Sequence, residues 1–251
     1  MRRLIMLLTS LALAAPLAVA GAAPKSLATI IANAVADPAR PADERKGDAL
    51  RKPAETLAFS GVRPGMIVGE FYPGGGYFTR LLSAVVGPSG HVYGLENSGW
   101  KSSAEADRKL AASAPLRNVS IDVQSFGTVA FPRPLDLAWI TQNYHDLKIA
   151  EYGKIDTIAF DRAVYAALKP GGTYFILDHQ GLPGMSEADI ARTHRIDRAV
   201  VIREVTSVGF KLVQQGEFLH RPADDHKKPI FDESIRGHTD QYALKFVKPR
   251  R

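Results

Sequence analysis

The chain has no cysteine in 251 residues. That absence excludes disulfides, a thiolate nucleophile, an iron–sulfur cluster and a cysteine-bound zinc. The core must therefore hold by packing alone, and 45% apolar residues suffice for one α/β domain. Also missing is any basic run interleaved with aromatics. The formal charge of +6 falls to +4 once Arg2 and Arg3 are set aside, so no nucleic-acid partner is expected. There is no internal repeat and no low-complexity tract.

Two phosphate-binding signatures are absent as well. A Gly-x-Gly-x-x-Gly pattern starting at Gly74 needs glycine where Thr79 stands, and one starting at Tyr72 lacks its first glycine. A P-loop needs Gly-Lys-Ser/Thr after its glycines, and Tyr77-Phe78-Thr79 stands there instead. These gaps count against a dinucleotide or a triphosphate. No compact metal-ligand motif is present either. Asp146, Asp178 and His179 come nearest to one, and no metal is expected.

What is there is organised around Met66 to Arg80. An apolar run ends in Glu70, a Pro73-Gly-Gly-Gly76 turn follows, and Phe78, Leu81, Leu82 and Val85 recur at helical spacing. This reads as strand, glycine turn and helix. Gly74, Gly75 and Gly76 let the backbone bend and approach a ligand, while the helix start offers free N–H groups to a carboxylate or phosphate. A bare connection without ligand is the alternative. The next apolar run ends in Glu96, whose carboxylate suits the two hydroxyls of a ribose.

These segments, with Leu168-Lys-Pro-Gly-Gly-Thr-Tyr-Phe-Ile-Leu177, resemble class I S-adenosylmethionine-dependent methyltransferases. Asn143-Tyr-His-Asp146, Asp178-His179 and His194-Arg-Ile-Asp197 are similar to a group of exported predicted methyltransferases. The resemblance covers residues 40–249 and departs from the class pattern at Tyr72, where most members carry glycine. It implies S-adenosylmethionine as cofactor, held by Glu70, Gly74, Gly75, Gly76, Glu96 and Asn143, with Asp122 or Gln124 at the adenine. It also implies that residues 40–56 cover the cofactor; alternatively Arg45, Arg51 and Glu55 are surface charges.

The expected fold is α/β: a single doubly wound, Rossmann-like methyltransferase domain with a mostly parallel seven-stranded sheet and a terminal antiparallel pair. Residues 1–20 form a signal peptide, 21–60 a helical lead-in and 61–251 the domain. Arg2 and Arg3, the apolar run Leu4–Ala20 and Ala18-Val19-Ala20 supply the three parts of the leader, with Ala22 or Ala23 as alternative cleavage points. The run is shorter than the ~20 residues that span a bilayer. No membrane insertion is expected after cleavage, and the product is exported, to the periplasm in a Gram-negative source.

In the lead-in, Ser26–Val35 and a segment starting at Pro53 read as helices. Further strands are expected at Val119–Val123, Pro134–Thr141, Thr173–Leu177, Phe210–Phe218 and Gln241–Val247. Helices are expected over Ser102–Ala112, over Lys154–Leu168 and, in one long piece, from Ser186 to about Val208. On that long helix His194 and Asp197 share a face. The 22 residues Leu219–Asp240 are a lid or a surface loop, with Asp224, Asp225 and His226 solvated.

Ligands of open α/β sheets lie beyond the carboxyl ends of the strands. The fourth strand runs there into Gln142-Asn-Tyr-His-Asp146, and the fifth into Asp178-His179. Methyl transfer to an O–H acceptor requires alignment and removal of a proton. His145 is the first choice of base and His179 the second. Asp146 or Asp178 would orient the imidazole and Tyr144 would touch the acceptor; the alternative is that Tyr144 and His145 only pack the edge. The acceptor is a small molecule, and the sequence assigns no oligomeric state. Two other readings stand beside the transferase: a catalytically inactive ligand-binding protein of this fold, and hydrolysis or elimination on a nucleoside-like compound.

Overall fold

The computed structural model describes residues 25–99, 110 and 116–250. The leader lies outside them, as does the expected helix over Ser102–Ala112 except for Leu110. The seven strands are β1 Ile67–Phe71, β2 His91–Asn97, β3 Val119–Gln124, β4 Leu135–Thr141, β5 Leu168–His179, β6 Lys211–Gly216 and β7 Gln241–Val247. They form one sheet in the order β3-β2-β1-β4-β5-β7-β6. Pairs from β3 through β5 are parallel, and β7 runs antiparallel to both β5 and β6.

All five residues of β1 are buried, as expected of a parallel strand covered on both faces. Alternate residues feed two cores. Ile67 and Phe71 join Phe126 and Phe160 on one face, while Val68 joins Trp139, Phe175 and Phe78 on the other. The strand order reverses between β1 and β4, so the crevice beyond their carboxyl ends is the ligand position of this architecture.

The lead-in comprises α1 Leu27–Ala36, α2 Ala42–Lys46, α3 Asp48–Arg51 and α4 Pro53–Ser60. Ser26 caps α1 through its side chain, and Pro53 opens α4. The guanidinium of Arg40 donates twice to Asp48, at 2.8 Å each, and Asp48 also accepts from the Tyr77 hydroxyl at 2.6 Å. Arg80 pairs with Glu44. The lead-in is thus tied to α5, Tyr77–Val86, the helix after the glycine turn.

Three expectations are corrected. The stretch after Ser186 is two helices, α7 Glu187–Thr193 and α8 Arg198–Ser207, with α6 Thr157–Ala167 earlier in the chain. Between them His194 takes φ +54, Ile196 bridges to Gln180, and Asp197 caps α8. His194 and Asp197 therefore do not share a helical face. The break brings Arg195 inside, where its guanidinium meets Asp224 at 2.8 Å with both side chains at most 1% exposed.

That ion pair corrects the reading of 219–240. Asp224 is not solvated; its Oδ2 accepts from the Asp240 N–H at 2.7 Å. Asp240 in turn accepts from the Arg221 N–H and the rings of His220 and His226. This network, buried at Asp224 and Asp240, fixes the loop, whereas Asp225 is exposed as expected. Finally, β5 begins at Leu168, earlier than expected, because Lys169-Pro-Gly-Gly172 is part of the strand and is accommodated by a shift in its pairing with β4. No helix among the described residues is long and apolar enough to cross a membrane.

Candidate functional site

At the end of β1 the chain turns through Tyr72 at φ +55. A left-handed conformation costs a residue with a side chain about 1–2 kcal/mol, which is why glycine suits this position. Tyr72 is held there by its N–H to the Leu95 carbonyl at 3.0 Å and by its ring, 4.8 Å from that of Phe126. Gly74 and Gly76 also have positive φ, at +57 and +84. A Cβ on Gly76 would lie 2.2 Å from the Leu110 side chain, so this glycine serves packing. A Cβ on Gly75 would meet nothing within 4 Å.

Gly75 borders a cavity of about 530 Å³, the size of a small-molecule site. Glu44, Arg51, Glu70, Gln142 and Asn143 line it too. Asp43, Glu44, Gly47 and Arg51 bring part of the lead-in to this cavity. Arg45, Arg51 and Glu55 are all exposed, and Arg51 also lies over the Tyr77 ring at 4.5 Å.

Glu70 is buried, and its Oε2 has no hydrogen-bond partner among the described residues. Burial pushes its carboxyl up to about 8, with Thr79 opposing and the Glu96 charge adding to the rise. Glu96 departs from its expected role. It is fully buried beneath the turn, receives the Gly74 N–H at 3.4 Å and does not line the cavity, so it supports the loop rather than presenting a carboxylate to a ribose. Asp122 also departs: it is exposed on β3, accepting from the Val123 N–H and from Gln124, away from this cavity.

Beyond β4, Gln142 has φ +60 and points its amide at Gln241, 3.0 Å away. Residues 145–148 form a single 3-10 turn, with Tyr144 just before it. Tyr144 faces inward. Its hydroxyl donates to Asp161 at 2.8 Å and lies 3.1 Å from Glu204, so it cannot touch an acceptor at the sheet edge. Burial raises the Asp161 carboxyl to about 8, despite the hydroxyls of Tyr144 and Tyr174 that stabilise it.

His145 is enclosed between carboxylates. Nδ1 lies 2.7 Å from Asp178 and Nε2 3.1 Å from Asp146. Burial alone would lower its pKa, but Asp178 and Asp146 outweigh it and raise it to about 10. The two carboxylates favour the charged form of His145, which works against its acting as a base. Asp178 is anchored in turn by the N–H groups of His145 and His179. Asn143 donates to Asp146 Oδ2 at 2.7 Å.

His179 is the opposite case. Burial, reinforced by the charges of His145 and Arg195, holds it well below the ordinary value for histidine and hence neutral. Its Nδ1 meets the Thr239 hydroxyl at 2.8 Å. It lines a second cavity of about 290 Å³ that shares Gly47, Arg51 and Gln142 with the first. Asp146, Asp178 and His179, the nearest approach to a ligand set in the sequence, are not the group that converges; His145, Asp146 and His194 present donor atoms within 4.8 Å of one another. Sequence reasoning missed Gln142, Thr239 and Arg236 as lining residues. Gln142 is legible from its place at the end of β4, whereas Thr239 and Arg236 reach the site through the 219–240 loop, for which no local signal exists.

No family model matches the chain. It is 28% identical over 194 residues to the ubiquinone/menaquinone biosynthesis C-methyltransferase UbiE of Shewanella sp. (strain W3-18-1), covering 76% of this chain and 67% of that one. Among solved structures it resembles a SAM-dependent methyltransferase from Aquifex aeolicus, with a TM-score of 0.58, 16% identity and coverage of 82% and 98%. It also resembles the glycopeptide N-methyltransferase MtfA complexed with S-adenosyl-L-methionine, with a TM-score of 0.53, 18% identity and coverage of 78% and 86%. The relatives and structural neighbours it matches are S-adenosylmethionine-dependent methyltransferases, and the chain shares the fold of those neighbours, in line with the resemblance.

Proposed function

We propose that this protein is an S-adenosylmethionine-dependent methyltransferase that acts on a small molecule. The observation that carries this reading is the cavity at the glycine turn, where Gly75 leaves open space and the buried Glu70 keeps a carboxyl oxygen unpartnered. Those residues fit the amino-acid end of the cofactor: Glu70 would take its ammonium group and the N–H groups at the start of α5 its carboxylate. When bound, the cofactor supplies an electrophilic methyl group. The chain itself aligns the acceptor and receives its proton.

The second cavity suits the acceptor, because His179 is neutral and its Nε2 is left for a proton once Nδ1 meets Thr239. Arg51 and Arg236 on the same wall favour an acceptor with negative charge. The reaction of the curated relatives makes quinone precursors the first acceptors to test. Export rests on Arg2, Arg3 and the Leu4–Ala20 run.

A second reading, ligand binding without transfer, is favoured by Tyr72 in the glycine position and by Glu96 lying sealed beneath the turn. One experiment separates the two. The protein is incubated with S-adenosylmethionine carrying a deuterated methyl group and a small-molecule extract, and products are read by mass spectrometry. Transfer predicts a labelled product that disappears with His179→Gln. Cofactor binding without any labelled product establishes the second reading.

A further inference from the structure

Asp146 and Asp178 are buried carboxylates, with side chains 4% and 0% exposed. Among the described residues neither forms an ion pair with lysine or arginine; their partners are His145 and His194. Two carboxylates removed from water need positive charge beside them. A divalent ion held between Asp146, His145 and His194 would supply it.

The geometry is that of a ligand set. Asp146 Oδ1 lies 3.1 Å from His145 Nε2 and 3.2 Å from His194 Nδ1. Ligands bonded at about 2.0–2.2 Å to one tetrahedral or octahedral ion stand about 3.0–3.5 Å apart, so these edges need little adjustment. Each donor is also held from behind. Asp178 fixes the His145 ring through Nδ1, the carboxylate–imidazole support that metal-binding histidines commonly have. Asn143 engages Asp146 Oδ2 and leaves Oδ1 for the ion. His194 is brought in by its left-handed backbone at φ +54, which breaks what the sequence suggests is one continuous helix.

We propose that His145, Asp146 and His194 bind one divalent transition-metal ion, with Asp178 and Asn143 positioning the ligands. Two imidazoles and a carboxylate suit zinc, manganese or iron(II) better than calcium or magnesium. Entry is from the His194 side, where that ring is partly exposed and packs 4.9 Å from the exposed Phe231. The three ligands do not line the glycine-turn cavity, which the site meets through Asn143, and metal binding is read without any transfer assay, so failure of this proposal is distinguishable from failure of the transferase reading.

The test is titration of chelator-treated full-length protein with zinc chloride and manganese chloride, followed by elemental analysis of the desalted protein. One equivalent of one of these metals should bind, and His194→Asn should weaken it by about 100-fold or more. Asparagine tolerates the left-handed backbone, so this variant keeps the fold, to be verified by circular dichroism and melting temperature. Cobalt(II) loading gives an independent optical readout, since its visible spectrum changes on imidazole and carboxylate ligation and should be lost with His194→Asn. Absence of saturable binding overturns the proposal. So does binding unchanged in His194→Asn, which would locate the ion elsewhere, as at His220, His226 and Asp240.

Discussion

At the glycine turn, Glu70 keeps a carboxyl oxygen without a partner beside a cavity of about 530 Å³. Across the same sheet edge, every carboxylate oxygen of Asp146 and Asp178 is engaged and the histidines between them are packed ring against ring. Both regions bury acidic groups at the carboxyl ends of parallel strands. One leaves open space and an unmet hydrogen bond beside a cavity; the other has every carboxylate oxygen partnered by imidazole, amide or backbone N–H. A cluster of chemically capable residues is therefore not by itself the reaction centre. His145, the most obvious base in the sequence, is held charged, while His179, next to it in space, is held neutral and borders a cavity.

The contrast can be broken most forcefully at Asp178. Replacing Asp178 by Ala leaves His145 buried with one carboxylate removed and should cost about 3–5 kcal/mol in denaturant unfolding, as for other broken buried pairs. A loss below 1 kcal/mol would show that the cluster is not a closed charge network. The glycine turn gives the next effect. Gly76→Ala, with its Cβ against Leu110 and φ at +84, should cost about 2–3 kcal/mol, whereas Gly75→Ala should change stability by less than about 0.5 kcal/mol. Equal costs would mean that the turn is wholly structural.

The smallest effect is a pH dependence. The folded pKa of Glu70, about 8, lies above the ordinary carboxyl value of 4.5. Below that ordinary value both folded and unfolded chains hold the proton, so Glu70 takes nothing from stability through titration. As pH rises toward 8 the unfolded chain releases the proton and the folded one retains it, so stability falls. Glu70→Gln removes this loss, and its advantage over the natural chain should widen by about 1.4 kcal/mol between pH 6 and pH 7 in the cofactor-free protein. A constant difference would place an ionised Glu70 in the folded state.

Much of this was legible in the chain. The seven strands, the glycine turn and the helix after Ser26 follow from local pattern, and β7 has the bounds expected of it. Tyr72 announced itself as an oddity, and its positive φ is the physical reason. What local pattern does not carry is facing and closure. Tyr144 and His145 are adjacent in sequence, yet a 3-10 turn sends one into the core and the other to the cluster. The helix break at His194 depends on a buried Arg195–Asp224 pair made 29 residues away, and no helical periodicity reports it. Glu96 keeps its expected place at the end of β2 but lies sealed below the turn.

The central claim, that the glycine turn is the ligand-completed half of the sheet edge, is tested most directly by calorimetric titration of the full-length protein with S-adenosylmethionine. The account predicts one equivalent with micromolar affinity, weakened by about 100-fold in Gly75→Leu, which fills the open space without straining the backbone. Absence of binding, or equal binding by Gly75→Leu, would contradict it.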